Sequence, residues 1–139
     1  MDTNTKILKW SFVLGAAYFA CISIAHTFGV KIPGLYIYFN VPSHSYQDTI
    51  IAFLTFGWSS FFYIASIDPK QNPVAVRAAL ISGGIAIVGL TKINGFNNFG
   101  SLSPPVETWP FWVLTLCLAI YIGWLGIFYM KMRKSMRKK

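Results

Sequence analysis

Four stretches of nearly unbroken apolar residues, at about 10–28, 47–67, 74–93 and 109–130, alternate with short connections that carry the polar residues, Gly and Pro. Each stretch holds close to the ~20 residues a helix needs to cross ~30 Å of hydrocarbon. A bilayer core offers no partner to a bare backbone N–H or C=O, so such segments span it only as helices. The pattern predicts an all-α integral membrane protein: one domain, a bundle of four transmembrane helices with both termini on the same side. A short basic segment, 131–139, follows the last span.

The connections carry start and stop signals. Gly29 suits the left-handed position past a helix end. Ser45-Tyr46-Gln47-Asp48 fits a capping box, with Ser45 as cap and Asp48 returning the bond. Asp68-Pro69 is expected to stop the second helix, because Pro disfavours a helical residue before it. Asn72-Pro73 is expected to start the third, as an Asn cap followed by Pro at the first position. Asn94-Gly95 is expected to end it. The first connection is too apolar for a freely solvated loop; with Pro33, Gly34 and the aromatic run from Tyr36 to Phe39, it is expected to lie along the membrane interface. The second long connection carries Asn97, Asn98, Gly100, Pro104 and Pro105 before Trp109 and Trp112.

Inside the spans, the informative residues are the polar and small ones. At 100° per residue, Asp48, Ala52, Thr55, Ser59, Tyr63 and Ser66 share an arc of roughly 80° on the second helix. Hydroxyls facing lipid lack partners, so this stripe is expected to face the third helix or a hydrated path. Small residues recur at similar spacing on the other helices, where they permit close backbone approach. They are Gly15, Ala16 and Ala20 on the first, with Ser23 nearby; Ala75, Ala79, Ser82, Ala86 and Gly89 on the third, widened by Ala78 and Gly83; and Thr115, Ala119, Gly123 and Gly126 on the fourth.

Composition agrees with the pattern: 55% of the 139 residues are hydrophobic and 12% charged. That leaves no room for a soluble catalytic module. The net charge of +8 would suggest nucleic acid in a soluble chain, but its placement argues for a membrane. Lys6, Lys9, Lys70, Arg77, Lys131, Arg133, Lys134, Arg137, Lys138 and Lys139 fall on one side of the spans, and Lys31 and Lys92 on the other, ten against two. Lys/Arg excess beside span ends marks the cytoplasmic face, so both termini are expected there. The tail then touches anionic headgroups rather than nucleic acid. A bacterial chain of this kind belongs in the plasma (inner) membrane.

Lys6, Lys9 and the Ser23-Ile24-Ala25 triplet also fit a cleaved signal peptide. The length of the apolar run and its small-residue face favour a retained helix. Cys21 and Cys117 lie inside spans without C-x-x-C spacing, where cysteine behaves as a small hydrophobe.

Ionisable residues collect at the predicted outer rim: His26, His44, Asp48, Lys92 and Glu107. Ionisable groups near membrane depth are costly and therefore candidates for function. His26 and Asp48 are expected at similar depth, within reach of each other, with Lys92 and the aromatic loop as neighbours. No metal-ligand spacing, phosphate-cradling loop or hydrolase motif occurs, no span carries a central charge, and no cofactor is indicated. Three function classes remain. The first is a non-enzymatic accessory or self-associating subunit, forming a homo-oligomer or joining a larger membrane complex. The second is a small channel or carrier lined by Thr55, Ser59, Tyr63 and Ser66. The third is a lipid- or quinone-binding enzyme acting at the rim.

Overall fold

Apolar periodicity becomes four long helices in the computed structural model, which describes residues 2–102 and 105–137. They are α1 (Thr3–Thr27), α2 (Ser45–Ile67), α3 (Pro73–Phe96) and α4 (Trp109–Met136), with a short 3-10 turn at Phe99–Ser101 and no strand among the described residues. All four helices are long and apolar enough to cross a membrane. Pro104 of the second long connection and Lys138 and Lys139 of the tail lie outside the described residues.

Several boundaries differ from the sequence expectation. Helix α1 starts well before Trp10, because Asp2 caps it by accepting from the Thr5 backbone N–H at 3.0 Å. The carboxylate of Asp2 also meets Lys70 at 2.6 Å. Lys70 and the cap together hold its carboxyl well below the usual range. Gly29 takes the left-handed conformation, at φ +63°, just past the end of α1. At the start of α2 the cap shifts back one residue. His44 occupies the cap position, and its backbone N–H donates to Gln47 Oε1 at 2.8 Å. Asp48 is therefore released from the capping role assigned to it. Asn72 precedes Pro73 as expected but makes no side-chain cap bond. Helix α3 runs through Asn94-Gly95 to Phe96, and α4 continues into the basic segment as far as Met136.

The helices alternate in direction. One end of the bundle, here the basic end, gathers the start of α1, the 68–72 connection and the end of α4. Helix α1 packs most closely against α2, α3 against α4, and α1 against α4, while α2 and α3 meet more sparingly. Helix α1 is the most enclosed: 39% of its apolar window is buried, against 17% for α3. The main core lies towards the basic end. There Leu8 and Phe12 of α1 meet Phe62 and Ala65 of α2, Val76 and Ala79 of α3, and Leu125 and Met132 of α4. A second, smaller core of Ile22, Ala25 and Tyr36 lies under the 28–44 connection.

Close approach is concentrated at two glycines. A Cβ on Gly15 would collide with Tyr121 Oη and lie 2.6 Å from Phe62, and one on Gly83 would collide with Ile122. Gly89, expected in a helix contact, instead faces open space, as does Gly123. Spacing identified the small residues but not which of them have a neighbour. Substituting Gly15→Ala is thus expected to cost ~1–3 kcal/mol by overpacking. Gly83→Ala costs less, because Ile122 can shift, and Gly89→Ala is neutral or slightly stabilising, since Ala is the better helix former. A melting series in detergent checks the order; equal effects at positions 15 and 89 would contradict it.

Candidate functional site

At the end opposite the basic one, the last turn of α1 and the first turn of α2 bring His26 and Asp48 together. His26 Nδ1 lies 3.0 Å from Asp48 Oδ1, with the side chains 7% and 15% exposed. An ionised carboxylate only accepts, so Nδ1 is the donor and carries the ring proton in the neutral imidazole. Ser43 Oγ donates to the same carboxylate, 3.1 Å from Oδ1 and 3.0 Å from Oδ2. Lys31 Nζ in turn donates to Ser43 Oγ at 3.0 Å and to the Val41 carbonyl at 2.8 Å. A chain of polar contacts thus runs Lys31–Ser43–Asp48–His26.

The 28–44 connection folds over this pair. The Tyr36 ring tilts against the imidazole with centroids 4.3 Å apart, and its hydroxyl donates to the Val30 carbonyl at 3.0 Å. Tyr18 Oη donates to the Leu35 carbonyl at 2.6 Å. Burial pushes the Tyr36 and Tyr38 phenols up, and the Asp48 charge adds to the effect on Tyr36, so both remain donors. At the rim position expected from the sequence, His26 is buried beneath Tyr36. Its remaining nitrogen, Nε2, has no hydrogen-bond partner among the described residues. Nor is it sealed in, since the only fully enclosed polar atom without a partner there is Tyr129 Oη. Asp48 therefore fixes the ring orientation, and in the neutral ring Nε2 is the acceptor.

The other rim candidates do not join this pair. Lys92 is exposed on α3. Glu107 accepts from Trp109 Nε1 at 2.8 Å, and His44 is exposed and stacked on Tyr46 at 5.8 Å. Among the described residues no cluster of His, Cys, Asp and Glu could hold a metal.

A second polar group was not anticipated. Tyr38 Oη donates to Asn94 Oδ1 at 2.8 Å, and Asn94 Nδ2 donates to Thr115 Oγ1 at 3.1 Å. The link ties the first connection to both α3 and α4. Asn94 is buried. An amide in the last turn of the third span was the available signal, and it resembles a stop signal equally well.

The stripe on α2 packs against α1 rather than α3. Ser59 Oγ donates to the Ala16 carbonyl at 2.8 Å, and Ser23 Oγ returns the arrangement to the Ala52 carbonyl at 2.8 Å. Thr55 bonds back to Ile51 and Ala52, and Ser66 to Tyr63, all on their own helix. Tyr63 is exposed on the outside of the bundle. An open groove of about 530 Å³ runs between α1 and α2, lined in part by Ala16, Ala20, Ser59 and Tyr63. A smaller cleft of about 250 Å³ separates α2 from α3 near Trp58 and Ser82. Both lie away from His26.

The chain matches no known protein-family model, no curated protein and no solved structure. Ser59→Ala is expected to cost ~0.6–1.7 kcal/mol, the range for interhelical bonds in membranes. Ser60→Ala should cost almost nothing, because Ser60 is exposed and bonds only to the Phe56 carbonyl of its own helix. Detergent melts of the two variants distinguish these roles; a costly Ser60→Ala would contradict the face assignment.

Proposed function

We propose that this chain is a multi-pass membrane protein with both termini on the cytoplasmic side, working as a small non-enzymatic accessory subunit that receives a polar partner group at His26. Four helices of spanning length and the ten-against-two division of Lys and Arg support the membrane placement and its orientation. The observation that carries the functional part is the His26–Asp48 bond, made while Gln47 supplies the helix cap. Asp48 is not needed to start α2, so what it does is orient the imidazole. An oriented imidazole with one acceptor nitrogen suits recognition of a donor.

Recognition is favoured over turnover because the polar groups around His26 are committed to one another. Ser43 is spent on Asp48, Lys31 on Ser43 and Val41, and Tyr36 on Val30. The channel alternative is less favoured: Ser59 and Tyr63 line the open α1–α2 groove, but Ser59, Thr55 and Ser66 donate to backbone carbonyls. A lipid- or quinone-binding role uses the same nitrogen, with a ligand hydroxyl in place of a protein donor.

Two experiments test this reading. Gentle detergent purification followed by native mass spectrometry is expected to show a partner chain on the wild type. Losing a hydrogen bond to a charged or oriented group should weaken its retention about tenfold in His26→Gln and in Asp48→Asn. A retained lipid or quinone instead of a chain would move the assignment to the third class; equal retention in all three proteins would refute it. For orientation, Asn98→Cys and Arg137→Cys are placed separately in a Cys21→Ala/Cys117→Ala background. An impermeant thiol reagent applied outside should label position 98 and miss 137, and the reverse would overturn the topology.

A further inference from the structure

The basic end carries an uncompensated positive surface drawn from three helices. Two carboxylates lie there, Asp2 and Asp68, and both are spent internally. Asp2 takes Lys70 at 2.6 Å and caps α1. Asp68 Oδ1 accepts from the backbone N–H groups of Lys70 at 2.9 Å and Gln71 at 3.2 Å. Lys6 and Lys9 of α1, Arg77 of α3, and Lys131, Arg133, Lys134 and Arg137 of α4 have no carboxylate partner among the described residues.

Because α4 stays helical to Met136, its charges have fixed directions. At 100° per residue, Arg133, Lys134 and Arg137 fall within about 100° of one another. Lys131 Nζ lies 5.0 Å from the Phe128 ring centroid, and the Arg133 guanidinium 5.9 Å from that of Tyr129. Both cations thus lie over aromatic rings of the preceding turn, at the edge of the apolar stretch, while Lys134 and Arg137 follow beyond it.

We infer that this end is a binding surface for anionic phospholipid headgroups of the membrane that holds the chain, with the Arg133–Lys134–Arg137 face as its centre. Charge complementarity and position select the occupant. The cations stand at the junction of apolar helix and polar medium, the depth of a lipid phosphate. A nucleic acid would have to reach the same charges against the membrane surface. The inference rests on the membrane placement proposed above.

The test uses the full chain in nonionic detergent, titrated with phosphatidylglycerol or phosphatidylcholine, and read by native mass spectrometry and melting. Phosphatidylglycerol is expected to remain bound and raise the melting temperature, less so in 0.5 M salt, and phosphatidylcholine to do neither. Arg133→Gln/Lys134→Gln/Arg137→Gln should weaken phosphatidylglycerol binding roughly a hundredfold, given the typical contribution of each basic residue at an anionic surface. Lys92→Gln, at the opposite end and outside the His26 network, should leave it unchanged. If the triple variant does not fold, Lys6→Gln/Arg77→Gln reports the same surface from the other helices. Equal response to the two lipids, unchanged binding in these basic-end variants, or displacement of the lipid by a short RNA would overturn the inference. Release of the chain from membranes by alkaline carbonate would instead defeat the membrane placement itself; a retained chain indifferent to phosphatidylglycerol defeats only this inference.

Discussion

Where no water is at hand, a hydroxyl must find an acceptor in the protein, and the hydroxyls of Ser23, Ser59 and Tyr121 that join helices find backbone carbonyls. Ser59 of α2 reaches the Ala16 carbonyl of α1, and Ser23 of α1 reaches the Ala52 carbonyl of α2. Tyr121 of α4 reaches the Ser11 carbonyl of α1 at 2.8 Å. A helical carbonyl already accepts from its own helix and keeps a second lone pair. A neighbour can use it only if the backbones come close. Gly15, Ala16 and Ala52 provide that closeness, and Phe12 and Phe62 fill the space beside them with rings 5.4 Å apart. The position of α1 at the centre of the packing follows from this pairing, and so does the meeting of His26 and Asp48 at its far end.

The four helices and the polar stripe on α2 were legible because each is a repeated pattern, sampled many times along the chain. What periodicity cannot give is the identity of the neighbour. It put Ser59 on a buried face but assigned that face to α3 or a hydrated path, whereas its neighbour is α1. It listed Gly89 beside Ala79, although Ala79 is buried and Gly89 faces outward. Single-residue features were less legible still. Ser45–Asp48 and His44–Gln47 are capping patterns in adjacent registers, and the choice between them rests on His26, 22 residues away from Asp48. Asn94 became an interior residue because Tyr38 and Thr115 are there to satisfy it. In both cases a tertiary partner decided between two locally acceptable conformations.

The same facts divide the bundle into a tight half and a loose one. Around α1, hydroxyl–carbonyl bonds and aromatic edges bind the helices to one another, even where an open groove runs beside Ala16 and Ser59. Between α2 and α3, contact is sparse and a cleft remains beside Trp58 and Ser82. The link from Tyr38 through Asn94 to Thr115 therefore matters mechanically, since it fastens the connection between α1 and α2 to the α3–α4 pair at the end where the main core does not reach.

That link also bears on the order in which the chain is made. Helices α1 and α2 leave the ribosome first, and their serine–carbonyl bonds and the His26–Asp48 contact need nothing synthesised later. The hairpin can close while α3 is still being made. Tyr38 is then left with a hydroxyl that acquires its partner only when Asn94 arrives, and Asn94 finds its own only when Thr115 follows. Completion of this three-residue relay marks the point at which the two hairpins have become one molecule.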